Sequence, residues 1–325
     1  MAKGVKGTRD FYPEEMRLRN WLFDNFTYAS LLHGFEEYDA PVLENEDLYT
    51  RKQGEDIVKQ LYNFKDKGDR KVSLRPEMTP SLARMVMSRA GVLPMPIKWF
   101  SIPQCWRYER MQKGRGREHF QWNVDIWGTS EISADAELFS VITTFLEGVG
   151  LTEEDVVIRV SSRKVLEEVL GSLGIEGDAF AQTCIIVDKM DKLSPEVINE
   201  QLTELGHSSE VISKIQSTLG LKHLNSLKKV LKPDSEALKE LTTLFEAIES
   251  YGISDWVEFD GSIVRGLEYY TGVIFEANLV SKDNDKNLPV IGSVGGGGRY
   301  DELISRFRKD QVGASGFSIG VSRLC

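Results

Sequence analysis

Apolar residues recur at three- and four-residue steps after Pro13, at Leu18, Leu22, Phe26, Ala29 and Leu32, and Gly34 stands where the run stops. This spacing predicts a long amphipathic helix. It feeds FEEYDAPVLE, where Phe35, Tyr38, Ala40 and Val42 predict a strand, with Pro41 marking an edge or a bend. A helix leading into an edge strand often supplies a dimer interface. KVSLRPEMTPSLARMVMSRAG predicts a short strand, a turn at Arg75 and Pro76, and a helix stopped near Gly91, and KWFSIPQCWRYE predicts a strand interrupted by proline. In HFQWNVDIW the alternation is strict. Phe120, Trp122, Val124 and Ile126 take one face, and His119, Gln121, Asn123 and Asp125 take the other. Ser133 can cap the helix ADAELFSVITTFLEGVG, whose Leu138, Val141, Ile142, Phe145, Leu146 and Val149 form an apolar stripe expected in the core.

From Lys164 to Tyr251 the pattern becomes helical and rich in Lys, Glu, Leu and Ser, broken by Gly and Pro; strand-type alternation then returns in WVEFDGSIVRGLEYYTGVIFEA. Strands flanked by helices without regular alternation predict an α+β architecture around an antiparallel sheet. The expected division is a discontinuous domain over 1–163 and 252–325 with a helical insertion over 164–251.

The 325 residues, 41% hydrophobic and 28% charged with net charge -10, suffice for a large core and fit one big or two ordinary domains. The acidic balance argues against non-specific coating of nucleic acid, so phosphate must be met by local basic patches. No run approaches the roughly 18 apolar residues of a membrane helix, and MAKGVKGTRD lacks the apolar segment of a signal peptide. The expected location is cytoplasmic, or organellar if a transit peptide has been removed. Cys105, Cys184 and Cys325 are far apart with no CxxC pair, which predicts buried free thiols rather than disulfides or zinc.

The most basic stretch is RYERMQKGRGREHFQW. A hairpin there would put Arg107, Glu109, Gln121 and Asp125 side by side as the floor of a polar pocket, beneath a glycine-loosened loop carrying Arg110, Lys113, Arg115 and Arg117. Such a loop suits a ligand with several phosphates, although a solvated charged tip would read the same way. GGGGRYDEL lacks the GK[ST] of a phosphate-binding P-loop. Set between apolar segments, its glycines either let backbone approach a ligand or strand closely or form a linker. GFSIGVSRL predicts a strand running into a helix with Arg323 on its first turns, and RGLEYYTGVIFEA joins Arg265, Tyr269 and Tyr270 to a strand.

GTRDFYP, RPEMT, RYER with GRGRE, FQ and D, RGLEYYTGVIFE, GGGGRYDEL and GFSIGVSRL, in that order, resemble the signature segments of the histidyl-tRNA synthetase family. The resemblance implies a class II aminoacyl-tRNA synthetase-like antiparallel sheet flanked by helices, usually dimeric. It implies activation of histidine with ATP to histidyl-adenylate and transfer to the 3′ end of tRNA(His). Glu77, Thr79 and Gln121 would hold the α-amino group, with Asp125, Tyr269 and Tyr270 around the imidazole. Arg107 would meet the α-phosphate, Arg115 and Arg323 the outer phosphates, Glu109 the adenine or a magnesium ion brought with ATP. Arg265 would bridge the histidine carboxylate and α-phosphate, the foremost catalytic expectation together with Arg107. Arg110 and Gln112 would meet the tRNA acceptor end. Two departures stand out. His119 occupies the place where the family commonly stacks an aromatic residue on adenine, and the sequence ends at Cys325, where the family's anticodon-binding domain would follow, so an excised catalytic core is expected. The alternative is a non-catalytic synthetase-like regulatory subunit of ATP phosphoribosyltransferase, which would be expected to lose charged residues that this chain retains, Arg107, Arg265 and Arg323 among them.

Overall fold

The computed structural model describes residues 3–50, 58–110, 116–187, 189–190, 193–264, 270–280, 292–304 and 312–321. In chain order the main elements are α1 (Pro13–Leu32), β1 (Glu36–Glu37), β2 (Leu43–Asn45), β3 (Tyr62–Lys65), β4 (Lys71–Leu74), α2 (Thr79–Ser88), β5 (Ile97–Ser101), β6 (Gln104–Trp106), β7 (Glu118–Trp127) and α3 (Ile132–Gly148). They continue with β8 (Val156–Ser162), α4 (Arg163–Gly171), α5 (Gly177–Val187), α6 (Pro195–Glu204), α7 (Ser209–Leu219), α8 (Glu236–Ser250), β9 (Val257–Phe259), β10 (Val273–Leu279), β11 (Ser293–Arg299) and β12 (Ala314–Gly320). The fold is α+β. Two compact units are distinguished, Met1–Ser130 with Val141–Leu151 and Asp301–Cys325, and Glu131–Ser140 with Thr152–Tyr300.

In the first unit the strands run β1-β5-β7-β12, antiparallel except for the parallel pairing of β1 with β5, and β6 extends the hairpin with β7. A smaller antiparallel sheet, β2-β4-β3, accompanies them. The core forms on the apolar face of β7. Phe26 of α1 stacks on Trp122 at 4.7 Å, Phe145 lies 4.6 Å from Phe26, and Phe317 of β12 meets Trp122 edge-on at 5.0 Å. Rings in tilted and edge-on contact bury large area with favourable quadrupole geometry. The indole N–H is satisfied inside this cluster, donating to Ser30 Oγ at 3.0 Å. The stripe of α1 therefore buries its middle, Leu22, Phe26 and Ala29, while Leu18 and Leu32 at its ends remain exposed.

Two expectations are corrected here. The single strand expected over FEEYDAPVLE is two short strands flanking Pro41, because the backbone between them turns to Arg75. The Arg75 guanidinium donates to the Ala40 carbonyl at 2.6 Å and pairs with Asp39 at 2.8 Å. Ser133 lies within α3 rather than capping it. The stripe from Leu138 to Leu146 is buried as expected, and Val149 is half-buried just past the helix end.

The second unit orders its strands β11-β10-β8-β9, antiparallel except for β8 with β9. Val156, Ile158 and Val160 of β8 and Phe275 of β10 are buried, and Phe139 contacts Phe275 at 4.6 Å. The helices α4 to α8, which span the expected insertion, belong to this unit. Their core joins Leu166, Leu170, Cys184, Ile215 and Leu219. Ser162 starts α4 by accepting from Lys164 N–H at 3.3 Å, and it donates to Glu240 at 3.0 Å.

The glycine run is not a linker. Gly295 to Gly298 lie within β11, opposite Ala277 to Ile274 of β10. A Cβ on Gly298 would fall 2.5 Å from the Val273 carbonyl and 2.9 Å from the Tyr270 ring, so only glycine fits. Arg299, next in sequence, is buried against Asp135, its Nε 3.0 Å from the carboxylate, and donates to the Glu131 carbonyl at 3.0 Å. Removing one partner of such a pair strands a buried charge. Asp135→Ala is expected to lower unfolding stability by about 3–5 kcal/mol in urea denaturation, with Asp135→Ala/Arg299→Met losing less than the single change.

Candidate active site

The site in the first unit is built on the polar face of β7 and the segments that flank it. Although β5 and β6 are separated at Ile102 and Pro103, they keep one register against β7, which places Trp99 opposite Asp125 and Cys105 opposite His119. Arg107, Gln121 and Asp125 are therefore not side by side as expected: Arg107 pairs with Arg117, Gln121 N–H donates to the Pro103 carbonyl, and Asp125 lies opposite Trp99, so the polar face of β7 forms a row. His119, Gln121, Asn123 and Asp125 follow one another at alternate positions, so the row extends about 20 Å at roughly 3.3 Å per residue. Arg107 stands near its His119 end, with its N–H donating to the Arg117 carbonyl at 2.9 Å.

Arg75 positions the approach to this row. Its Nε donates to the Gln104 carbonyl at 2.9 Å, its N–H to Val42, and its carbonyl accepts from Trp106 N–H. The next residue, Pro76, gives its carbonyl to Arg107 Nε at 3.0 Å. Glu77 follows, buried, and Thr79 begins α2 half-buried. Thus one turn delivers a carboxylate and orients a guanidinium.

Cys105 marks where these groups converge. Its thiol approaches Gln121 Oε1 at 3.7 Å, and the charges of Arg75, Arg107 and Glu77 all act on it. Burial dominates and pushes the thiol up to about 12, so it stays protonated and unreactive. Burial, with the Arg107 charge second, lowers His119 to about 4, leaving a neutral imidazole near neutral pH. Asp125, also buried, lies opposite both Trp99 and Gly316.

The basic segment is braced from the N-terminus. Gly7 accepts from Arg117 N–H at 2.9 Å, and its positive φ of 91°, with the 2.7 Å at which a Cβ would meet the Arg117 side chain, favours glycine. Arg117 is not simply a free loop cation: its guanidinium covers the Tyr108 ring at 3.9 Å, and its Nε donates to the Glu109 carbonyl at 3.3 Å. Glu109 is half-buried and Arg110 exposed. Gln112, Arg115, Arg265, Tyr269 and Arg323 lie outside the described residues. Tyr270 belongs to the second unit, buried 6.4 Å from the Tyr300 ring. Glu77, Arg107, His119 and Gln121 are therefore gathered around Cys105, and Asp125 lies further along the same strand. Sequence reading treated Arg75 only as a turn and gave Tyr38 no part in the site, although RPEMT and the apolar alternation contain them.

An antiparallel sheet flanked by helices, with a buried carboxylate and an oriented arginine on its polar face, is the arrangement of a class II aminoacyl-tRNA synthetase catalytic region. The family model for histidyl-tRNA synthetase matches residues 7–324. The chain is 49% identical over 315 residues to a chloroplastic/mitochondrial histidine–tRNA ligase of Arabidopsis thaliana, covering 97% of this chain and 63% of that protein. It is 43% identical over 322 residues to the histidine–tRNA ligase of Leptospira biflexa, covering 98% and 72%. A Bacillus halodurans structure titled ATP phosphoribosyltransferase regulatory subunit/histidyl-tRNA synthetase superposes with a TM-score of 0.83 at 25% identity, covering 98% and 81%. This chain belongs to the histidyl-tRNA synthetase family.

His119 gives the fold a pH dependence. The unfolded chain binds its proton at the ordinary value of 6.5 and the folded chain only near 4, so protonation favours unfolding. This group's contribution to stability is complete above pH 6.5 and is lost as pH falls toward 4. His119→Gln is expected to show a smaller loss than wild type when urea midpoints at pH 7.5 and pH 5 are compared.

Proposed function

We propose that the chain activates histidine with ATP and transfers it to tRNA(His). The observation that carries this reading is the continuous polar row on β7, with a buried carboxylate at one end and an oriented guanidinium near the other. Its length suits an amino acid joined to a nucleotide. Asp125 is the anionic partner for an imidazole N–H, and Glu77 with Gln121 and Thr79 suits an ammonium. An amino acid lacking the imidazole leaves Asp125 buried without a ligand partner, and hydrogen-bonded recognition of this kind can discriminate by roughly 10⁴-fold.

Arg107 stabilises charge that develops on the α-phosphate as the histidine carboxylate attacks and pyrophosphate leaves. On family resemblance Arg265 shares that work, Tyr269 and Tyr270 complete the imidazole site, Arg115 and Arg323 meet the outer phosphates, His119 lies against adenine, and Arg110 with Gln112 meets the acceptor end of tRNA. A neutral His119 suits that place, because it adds no charge beside Arg107. Magnesium accompanying ATP would neutralise phosphate charge. Such an ion keeps several waters and phosphate oxygens and needs only one or two carboxylates, a demand Glu109 can meet. Among the described residues no group of three metal-binding side chains occurs.

The stretch 164–251 is proposed as the insertion domain of this enzyme, leaning on the tRNA acceptor arm, and the setting as aqueous, cytoplasmic or organellar. Among the described residues no helix is long and apolar enough to cross a membrane. A homodimer through α1 accounts for its exposed Leu18, Trp21, Tyr28, Leu31 and Leu32, since a two-fold contact pairs the same patch on both subunits.

Histidine-dependent exchange of pyrophosphate into ATP tests the activity; its absence in folded protein would favour a regulatory module. Arg107→Ala is expected to slow exchange by about 100-fold with the circular-dichroism spectrum retained. For the dimer, sedimentation velocity should give twice the chain mass for wild type and a shift toward monomer in Trp21→Glu/Leu32→Glu.

A further inference from the structure

Tyr38 follows β1 and is buried, its N–H donating to the Phe100 carbonyl at 2.9 Å and its ring lying 5.6 Å from that of Trp99. Trp99 is directly opposite Asp125 in the β5–β7 pairing. Cross-strand partners project on the same face of a sheet, so the Tyr38 ring packs on the face that carries the Asp125 carboxylate. The Tyr38 hydroxyl is buried and has no hydrogen-bond partner among the described residues. A buried donor left in this condition lowers stability, and where proteins retain one it calls for a functional explanation.

The charged and titratable groups facing the hydroxyl are Asp125, Arg75, Asp39 and Cys105. Arg75 offers no acceptor. Asp39 already accepts from Ala40 N–H and Arg75 through Oδ1 and stands largely in solvent. Cys105 directs its thiol to Gln121. Asp125 is the strong buried acceptor, and a carboxylate has room for about four hydrogen bonds. Burial and the neighbouring carboxylates raise the phenol well above its ordinary range despite Arg75, so the hydroxyl remains a donor.

We propose that Tyr38 is a positioning residue for amino-acid specificity: when an imidazole engages Asp125, the Tyr38 hydroxyl donates to the same carboxylate and fixes the oxygen that faces the ligand. The inference rests on the histidine reading above. It distributes the recognition of one ring over a carboxylate and the phenol that holds it.

Tyr38→Phe keeps the ring against Trp99 and removes only the donor. Steady-state pyrophosphate exchange and thermal unfolding with and without histidine decide the case. The expected result is a histidine KM raised roughly tenfold, with kcat within about twofold and the KM for ATP unchanged. The ligand-free Tm should not fall, because an unsatisfied group has been removed, whereas the Tm rise produced by saturating histidine should shrink. An unchanged histidine KM and an unchanged histidine-induced Tm rise would overturn the proposal. So would equal increases in both KM values with a lowered ligand-free Tm, the signature of a merely structural residue. Wild-type protein that shows neither exchange nor a histidine-induced Tm rise would overturn the histidine reading itself, and this inference with it.

Discussion

Arg75 is a cationic side chain held almost wholly out of water, and such a group is tolerated when hydrogen bonds compensate its burial. Here they are distributed among Ala40, Asp39 and Gln104, while its own backbone joins Val42 and Trp106. The guanidinium therefore fixes the segment between β1 and β2, the turn after β4 and strand β6 to one another. Glu77 and the Pro76 carbonyl that orients Arg107 are carried by the same turn. Charge at the site is thus positioned by a neighbouring charge.

The second constraint is the alternation along β7. Trp122 is sealed among Phe26, Phe145 and Phe317 and anchored through its N–H to Ser30, which fixes the face of the strand that enters the core. A shift of one residue would bury His119, Gln121 and Asp125 in that aromatic cluster. The packing energy of one face and the chemistry of the other are consequently the same structural fact. Gly316 and Gly320 on β12 lie opposite Asp125 and Gln121, where the absence of side chains leaves the polar row uncrowded.

What could be read in the sequence follows from this. The faces of residues 119–126 were legible because period-two alternation is local, as was the middle of α1. The relation between Arg107 and Asp125 was not, because it depends on the cross-strand register, which β5 and β6 continue unchanged across Ile102 and Pro103 and which sets Asp125 opposite Trp99, eight residues before Arg107. The burial of Arg75 was illegible for a similar reason: its partners come from residues 35 or more positions before it and from Gln104. GGGGRYDEL was half legible. Its glycines are set by the close approach of Gly298 to Tyr270 and Val273, but Arg299 belongs to a buried ion pair with Asp135, a contact across 164 residues that no short motif reveals. Arg117 carries the same lesson, since a cation counted toward the ligand-facing loop is partly occupied with Tyr108 and Glu109.

The distribution of charge also bears on the proposed binding of polyanions by a chain of net charge -10. Long-range attraction from the whole molecule is unfavourable, so affinity for phosphate must arise where water is excluded and a guanidinium is already oriented. Arg107, half-buried, is oriented by its bond to Pro76, and its field, with burial, keeps His119 neutral and lowers the thiol of Cys105 somewhat from what burial alone would impose. Carboxylates supply the opposing demand: Glu77 and Asp125 are both buried, and each is costly unless matched by a cationic or donor group. On the proposed reading, a ligand that brings an ammonium to Glu77 and a ring N–H to Asp125, while presenting phosphate to Arg107, engages all three at once. Selectivity, on that reading, is the difference between a ligand that makes all three contacts and one that misses any of them.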